Sequence, residues 1–73
     1  MEEEVDPMQR LSDRELEIFE LMGQGKTTQE IADALMISPK TVESHRGRIK
    51  DKLAIETTTQ LLQRATLWVD RQP

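Results

Sequence analysis

The sequence contains no cysteine, no tyrosine, one tryptophan and one phenylalanine among its 73 residues. Without cysteine the chain can form neither a disulfide nor a thiolate metal cluster, although so short a domain is near the size at which such a staple is usually needed. Seventy-three residues, of which 36% are hydrophobic, also leave no room for a second core. A single small domain must therefore gain its stability from helix packing, from a partner, or from both.

Long hydrophobic runs are absent as well, because no apolar stretch approaches the roughly 18 residues that a membrane span needs. The start Met-Glu-Glu-Glu-Val-Asp carries the wrong charge for a signal peptide. We therefore expect a soluble, cytoplasmic protein without a membrane partner.

Basic residues are outnumbered, with 10 Lys and Arg against 14 Asp and Glu. The resulting net charge of −4 argues against a nucleic-acid-binding protein if the charge is evenly spread. It is not evenly spread, because residues 39–53 carry five bases and two acids, a net charge of +3, whereas residues 1–9 and residues 11–38 each carry −4. Positive charge concentrated on one segment is typical of a surface that faces phosphates.

Four patterns in the sequence are typical of helix starts. Three are capping boxes, in which a hydroxyl accepts from a backbone N–H and an acid or amide three residues later accepts in return. In the fourth, a serine cap is followed by proline, which has no N–H to lose at the first helical position. The four are Ser12 with Glu15, Thr27 with Glu30, Ser38 with Pro39, and Thr57 with Gln60.

These starts, together with apolar residues at helical spacing and no strand alternation, predict an all-α fold, a four-helix bundle that contains a helix-turn-helix. Either Gly23 or Gly25 suits the left-handed position that ends the first helix. We interpret residues 1–9 as an acidic disordered tail or linker remnant and residues 10–71 as the domain. The expected helices cover about 12–23, 28–35 and 39–53, and the fourth begins at Thr57.

The short connection between helices two and three indicates what the domain does. Only residues 36–38 separate them, which is typical of a helix-turn-helix whose second helix enters the DNA major groove; an ordinary helical hairpin is the alternative. Helix three carries Val42, Ile49 and Leu53 as an apolar stripe, so its opposite face is polar. Gly47 lies on that polar face, although glycine inside a helix costs about 1 kcal/mol relative to alanine. It is either a tolerated surface glycine or a point of close approach to another surface.

Four stretches of this sequence resemble the LuxR-type (NarL/FixJ) helix-turn-helix domain over roughly residues 10–69. The resemblance implies a four-helix transcription-factor domain that binds double-stranded DNA as a homodimer. It also implies a place at the C-terminal end of a two-component response regulator, with a phosphoaccepting receiver domain N-terminal to it. The stretches are LSDRELEI from Leu11, GKTTQEIA from Gly25, ISPKTVESH from Ile37 and IKDKL from Ile49.

Site residues follow from the resemblance position by position. The positions that match base-contacting sites are Lys40, Glu43, Ser44 and Gly47. Those that match phosphate-contacting or groove-lining sites are Thr41, His45, Arg48 and the backbone near Thr27 and Thr28. The fourth helix is the dimer surface in the family, and its apolar stripe is broader than one small core requires. The candidates for dimer contact are Leu62, Ala65, Trp68 and Val69, with intramolecular core as the alternative for each.

The sequence departs from the family pattern at several of these positions. Many members have Lys, Asn and Lys where Glu43, Ser44 and Gly47 stand here. Because a carboxylate accepts from cytosine N4 but is repelled by phosphates, the preferred DNA sequence should differ from that of the lysine-bearing relatives. Ala54 stands where glycine usually follows Lys-Leu, and a positive φ would strain it.

A catalytic function finds little support in the sequence. His45 is the only histidine, and neither a Ser/His/Asp arrangement nor a metal-ligand spacing can be built around it. We therefore predict no enzyme activity, no cofactor and no metal site. The competing hypothesis is a protein-interaction module of the same fold that has lost DNA binding, which Glu43, Gly47 and the net acidity favour.

Overall fold

The computed structural model describes residues 7–72, and these residues form helices and short connections. The all-α, four-helix prediction is confirmed, and no strand occurs within this range. Of the predicted acidic tail, residues 1–6 lie outside the described residues, while residues 7–9 belong to a short 3-10 helix, η1. The elements are η1 (Pro7–Arg10), α1 (Asp13–Gly23), α2 (Thr28–Leu35), α3 (Pro39–Lys52) and α4 (Thr58–Asp70).

The helix starts lie where the cap patterns predict them. Ser12, Thr27 and Thr57 each accept from the backbone N–H three residues later, and the side chain at that later position bonds back to the cap. Ser38 caps α3 by accepting from the N–H of Thr41, with proline in the first turn. All four cap predictions are therefore confirmed.

Three of the helices end in the same way, with one residue in the left-handed region of backbone space. Gly25 follows α1 with φ 89°, Met36 follows α2 with φ 58°, and Ala54 follows α3 with φ 55°. In each case the N–H of the next residue donates to the carbonyl oxygen five residues before it, at 2.8–3.1 Å, which closes a Schellman turn. The condition stated for Ala54 is met, because its φ is positive.

Substituting Ala54 with glycine is expected to stabilise the domain. A left-handed conformation costs a non-glycine residue about 1–2 kcal/mol, and the greater freedom of glycine in the unfolded chain offsets part of the gain. We expect Ala54→Gly to raise the free energy of unfolding by about 0.5–1 kcal/mol in urea denaturation. The control is Ala34→Gly inside α2, where the same change should lower stability by about 1 kcal/mol. Equal losses for both variants would contradict the expectation.

The core is built around α1, which packs against α2, α3 and α4. Ile18 and Phe19 are completely buried, as are Val42 and Ile49 of α3 and Leu61 of α4. The apolar stripe predicted for α3 is thereby confirmed. The broad stripe predicted for α4 divides, however, because Leu61 and Ala65 are buried whereas Leu62 is 40% exposed.

Gly23 allows α1 and α4 to approach closely. A Cβ atom at Gly23 would lie 2.3 Å from the carbonyl oxygen of Ala65 and 2.5 Å from Cγ2 of Val69. The sequence left open whether Gly23 or Gly25 is the left-handed residue that ends the first helix, and the structure assigns a different role to each. Gly25 has the left-handed conformation, and Gly23 is the last residue of α1 and contacts α4.

Candidate nucleic-acid interface

The polar face of α3 lies on the outside of the domain. Because Val42 and Ile49 anchor one side of the helix in the core, residues on the opposite side point away from it. The residues predicted to contact bases share this outer side, and three of them are exposed while Gly47 is half-buried. They are Lys40, Glu43, Ser44 and Gly47.

Gly47 forms a shallow notch in this face. A Cβ atom placed there would meet no atom within 4 Å, so packing inside the domain does not require glycine at this position. The notch belongs to a groove that Glu43, Arg46, Lys50 and Thr58 also line. The missing side chain at Gly47 therefore leaves a depression in the surface of α3, with one acidic and two basic side chains around it.

Positive side chains lie along both edges of the outer face. Helical spacing places Arg46 and Lys50 on the edge near Thr58 of α4, and Arg48 and Lys52 on the other edge, where Lys52 is ion-paired with Glu15. A duplex groove is bordered by two phosphate strands, and two cationic borders around a central reading face match that arrangement. The net charge of +3 on this segment is thus distributed on both sides of the face.

Thr41, whose position matches phosphate-contacting or groove-lining sites, is already engaged in the cap of α3. Its hydroxyl lies 2.9 Å from the Ser38 hydroxyl, and its N–H donates to the same Ser38 oxygen at 3.1 Å. One hydroxyl of this exposed pair donates to the other, which leaves one O–H to donate outward. The assignment of Thr41 stays a prediction.

The start of α2 holds the two other threonines of the predicted phosphate set. The Thr27 N–H donates to the Glu30 carboxylate at 2.9 Å, and the Thr27 hydroxyl accepts from the Glu30 N–H at 3.1 Å. The backbone bond from Thr27, then the bond from its hydroxyl, lowers the pKa of Glu30, so a carboxylate lies at this helix start. Thr27 thus has its N–H occupied and a negative charge beside it. Thr28 lies one residue further on, and its hydroxyl accepts from Arg46 at 2.7 Å.

His45 lies at the border between the core and the surface of α3. It is half-buried, and its Nδ1 atom is buried without a hydrogen-bond partner within residues 7–72. The Nδ1 side of the ring therefore packs against the domain without forming a hydrogen bond within these residues. Its predicted part in groove lining or phosphate contact stays a prediction.

The four dimer candidates on α4 differ in exposure. Ala65 is completely buried, Val69 is half-buried against Gly23, and Trp68 packs on Phe19 with ring centroids 5.7 Å apart and planes tilted by 54°. Because α1 covers this side of α4, these three side chains take part in the core of a single copy, and their role in a dimer stays a prediction. Leu62 is exposed at the edge of the covered side, where it lines an apolar groove on α4. The other residues that line this groove are Thr59, Gln63, Thr66 and Leu67.

Arg46 and Leu67 are among the residues of these surfaces that the sequence-based prediction missed. Arg46 comes four residues after Val42 and therefore flanks the buried stripe, a position that indicates a half-buried arginine with an intramolecular partner. Leu67 is 53% exposed and had no signal, because a leucine on an amphipathic helix is normally interpreted as core.

Within residues 7–72, no group of three or more His, Cys, Asp or Glu side chains could hold a metal ion. No helix in this range has the length and apolar content that crossing a bilayer requires.

Comparison with known proteins gives a consistent result. Residues 9–65 match the family described as bacterial regulatory proteins, luxR family. The chain is 47% identical over 58 residues to the transcriptional regulatory protein TdiR of Thauera aromatica, covering 80% of this chain and 26% of that protein. It is 43% identical over 60 residues to the oxygen regulatory protein NreC of Staphylococcus aureus (strain JH9), covering 82% and 28%. No solved structure matched. The chain therefore spans about a quarter of the length of these curated relatives.

Proposed function

This chain belongs to the luxR family of bacterial regulatory proteins, and from that premise we propose that it binds double-stranded DNA in transcription regulation with α3 in the major groove. Base edges are then contacted by Lys40, Glu43 and Ser44. Because Gly47 has no side chain, the DNA can approach the helix axis most closely at that position. DNA as the partner also implies a cytoplasmic protein.

One observation carries this proposal, the combination of an uncommitted outer face on α3 with cations on both of its edges. Lys40, Glu43 and Ser44 are exposed, and their side chains have no hydrogen bond or ion pair within residues 7–72. An exposed face with free polar groups is what base readout requires, whereas a helix of an ordinary hairpin bundle needs no such face. Glycine at position 47 without an internal packing reason supports the same proposal.

A DNA titration at several salt concentrations tests the proposal. Wild-type affinity should fall linearly in a plot of log K against log salt, because phosphate contacts release counterions. Arg48→Ala should weaken binding to all duplexes and reduce the slope by about 1, whereas Glu43→Ala should change base preference with the slope nearly retained. No binding at low salt to any of a broad set of duplexes would contradict the proposal and favour the protein-interaction module. If Glu43→Ala loses the same affinity for all DNA sequences, Glu43 does not take part in base recognition.

We further propose that two copies bind DNA together through the apolar groove of α4. Leu62 and Leu67, five residues apart, are 40% and 53% exposed and line this groove on a helix whose other side is already packed on α1. An exposed groove lined by two leucines favours a partner surface. A two-fold related copy would offer the same groove, as an isologous interface requires.

Introducing a charge in this groove should separate the two copies. Leu67→Glu is expected to bind DNA as one copy per site where the wild type binds as two, because a buried unpaired carboxylate disfavours the interface. Sedimentation of protein–DNA mixtures measures the stoichiometry, and circular dichroism verifies that the variant is folded. Ala34→Glu adds the same charge to exposed α2 and should behave as wild type. If Leu67→Glu retains the two-copy complex, another surface joins the copies.

The remaining length of the relatives supports a proposal about the whole protein. Because most of TdiR and of NreC lies outside the matched region, this chain corresponds to one domain of such proteins. We propose that it is the effector domain of a two-component response regulator and works with an N-terminal receiver domain.

A further inference from the structure

A hydrogen bond joins the middle of α3 to the first residue of α2. Nη1 of Arg46 donates to Oγ1 of Thr28 at 2.7 Å, across 18 residues of sequence. Both residues are half-buried, so the bond is partly shielded from water. A bond from a guanidinium group is charge-assisted and stronger than a bond between two neutral groups.

This bond lies between two surfaces that have different tasks in the proposed function. Arg46 lines the groove on the outer face of α3, together with Glu43 and Gly47. It also lines a second groove, which contains Lys26 and Thr28 at the start of α2. The arginine therefore connects the face that reads bases with the segment predicted to contact phosphates.

The chemistry of the pair allows the bond to persist when DNA is bound. The Thr28 hydroxyl accepts from Arg46, so its own hydrogen remains available to donate to a phosphate oxygen. The guanidinium group has five N–H donors, and the bond to Thr28 uses one of them. Neither residue has to release the other when a phosphate approaches.

We propose that Arg46 is a positioning residue for DNA recognition, which through Thr28 sets the placement of the α2 start relative to the reading face of α3. The inference rests on the proposed function. Specific binding requires phosphate contacts and base contacts to be in register at the same time, whereas non-specific binding requires only the charges. Loss of the Arg46–Thr28 bond should therefore reduce discrimination between DNA sequences more than it reduces affinity for DNA in general.

The test uses a duplex that the wild-type protein selects from a random pool and a shuffled duplex of the same composition. Thr28→Val removes the acceptor without changing any charge, and Thr28→Ser retains it. Because Thr28→Val also removes the O–H that can donate to a phosphate, we expect it to weaken binding to both duplexes. The loss for the selected duplex should be about tenfold larger than the loss for the shuffled duplex, with an unchanged salt slope. Thr28→Ser should restore discrimination to within about twofold of wild type.

Arg46→Met and the double variant Thr28→Val/Arg46→Met complete the experiment. Arg46→Met should lose the same discrimination and in addition reduce the salt slope by about 1, because it removes a charge. The double variant should discriminate no worse than Arg46→Met, since both changes remove one shared bond. Thermal melting measures whether a variant has lost folding stability. A merely structural effect would lower the melting temperature and would lower affinity for both duplexes by the same factor.

The outcomes separate this inference from the proposed function. If wild type selects and discriminates DNA but Thr28→Val discriminates equally well, the positioning role is overturned while DNA binding stands. The positioning role is also overturned if the fold-loss of discrimination in the double variant equals the product of the losses in Thr28→Val and Arg46→Met, because the two residues would then act independently. If the wild-type protein selects no duplex, both proposals fail together.

Discussion

Replacing Gly23 with alanine is expected to lower the free energy of unfolding by about 3 kcal/mol, a large part of the stability of so small a domain. The new Cβ atom would lie 2.3 Å from the Ala65 carbonyl oxygen, a distance that non-bonded atoms do not adopt. Because that oxygen belongs to the backbone of α4, no side-chain rotation relieves the overlap. The two helices would have to separate, which would loosen the contact of Phe19 with Trp68 as well.

Urea denaturation of Gly23→Ala and of the wild type measures this effect, and Gly47→Ala is the matched control. Both glycines lie in helices, and both changes add one methyl group. A Cβ at Gly47 meets nothing within 4 Å, so the better helix propensity of alanine should raise stability by up to about 1 kcal/mol. Opposite signs for the two variants are expected. A stabilising effect of Gly23→Ala would show that α1 and α4 are not in close contact.

Removing the amine of Lys52 is expected to lower the free energy of unfolding by about 1.5 kcal/mol at pH 7. Nζ of Lys52 lies 2.7 Å from Oε1 of Glu15, whose side chain is only 4% exposed. Without the amine, a buried carboxylate retains only the hydrogen bonding of Ser12, whose N–H donates to it at 2.8 Å, within the described residues. The expected loss is moderate because the Lys52 side chain is 40% exposed and water screens the pair.

Lys52→Met tests this expectation, and Lys50→Met is its control. Lys50 lies in the same last turn of α3 but is in no ion pair within residues 7–72, so its loss should change stability by less than about 0.5 kcal/mol. Thermal or urea denaturation of both variants at pH 7 provides the comparison. Similar losses for the two lysines would mean that the general charge of α3 matters and the contact with Glu15 does not.

Acidification should remove the same stabilisation. Burial raises the pKa of Glu15, but the hydrogen bonds from Lys52 and Ser12 and the positive charge of Lys52 outweigh burial and hold the pKa below its ordinary value of 4.5. A carboxylate whose pKa is lowered on folding contributes stability above its unfolded pKa and loses it as the pH falls through the folded value. The stability difference between wild type and Lys52→Met should therefore narrow below about pH 4.5.

The start of each helix could be predicted from the sequence because a cap is a local device. Ser12 and Glu15, like Thr57 and Gln60, are three residues apart, and the chemistry that joins them does not depend on any other part of the chain. The ends were harder to predict. Gly25 predicts a left-handed turn because glycine favours that conformation. Met36 and Ala54 adopt the same conformation without being glycine, because the residue that follows each of them packs onto or within the core.

The sequence alone determined the four helices, the buried stripe of α3 and the separation of positive charge onto that helix, since each depends on neighbours within a few turns. Only the tertiary structure decided which glycine permits close packing and which side of α4 stays exposed. It also decided that Arg46 binds Thr28, 18 residues away, and that Lys52 binds Glu15, 37 residues away. The physical reason is that these contacts depend on how the helices approach one another, and the periodicity of a single helix contains no information about the partner that covers it.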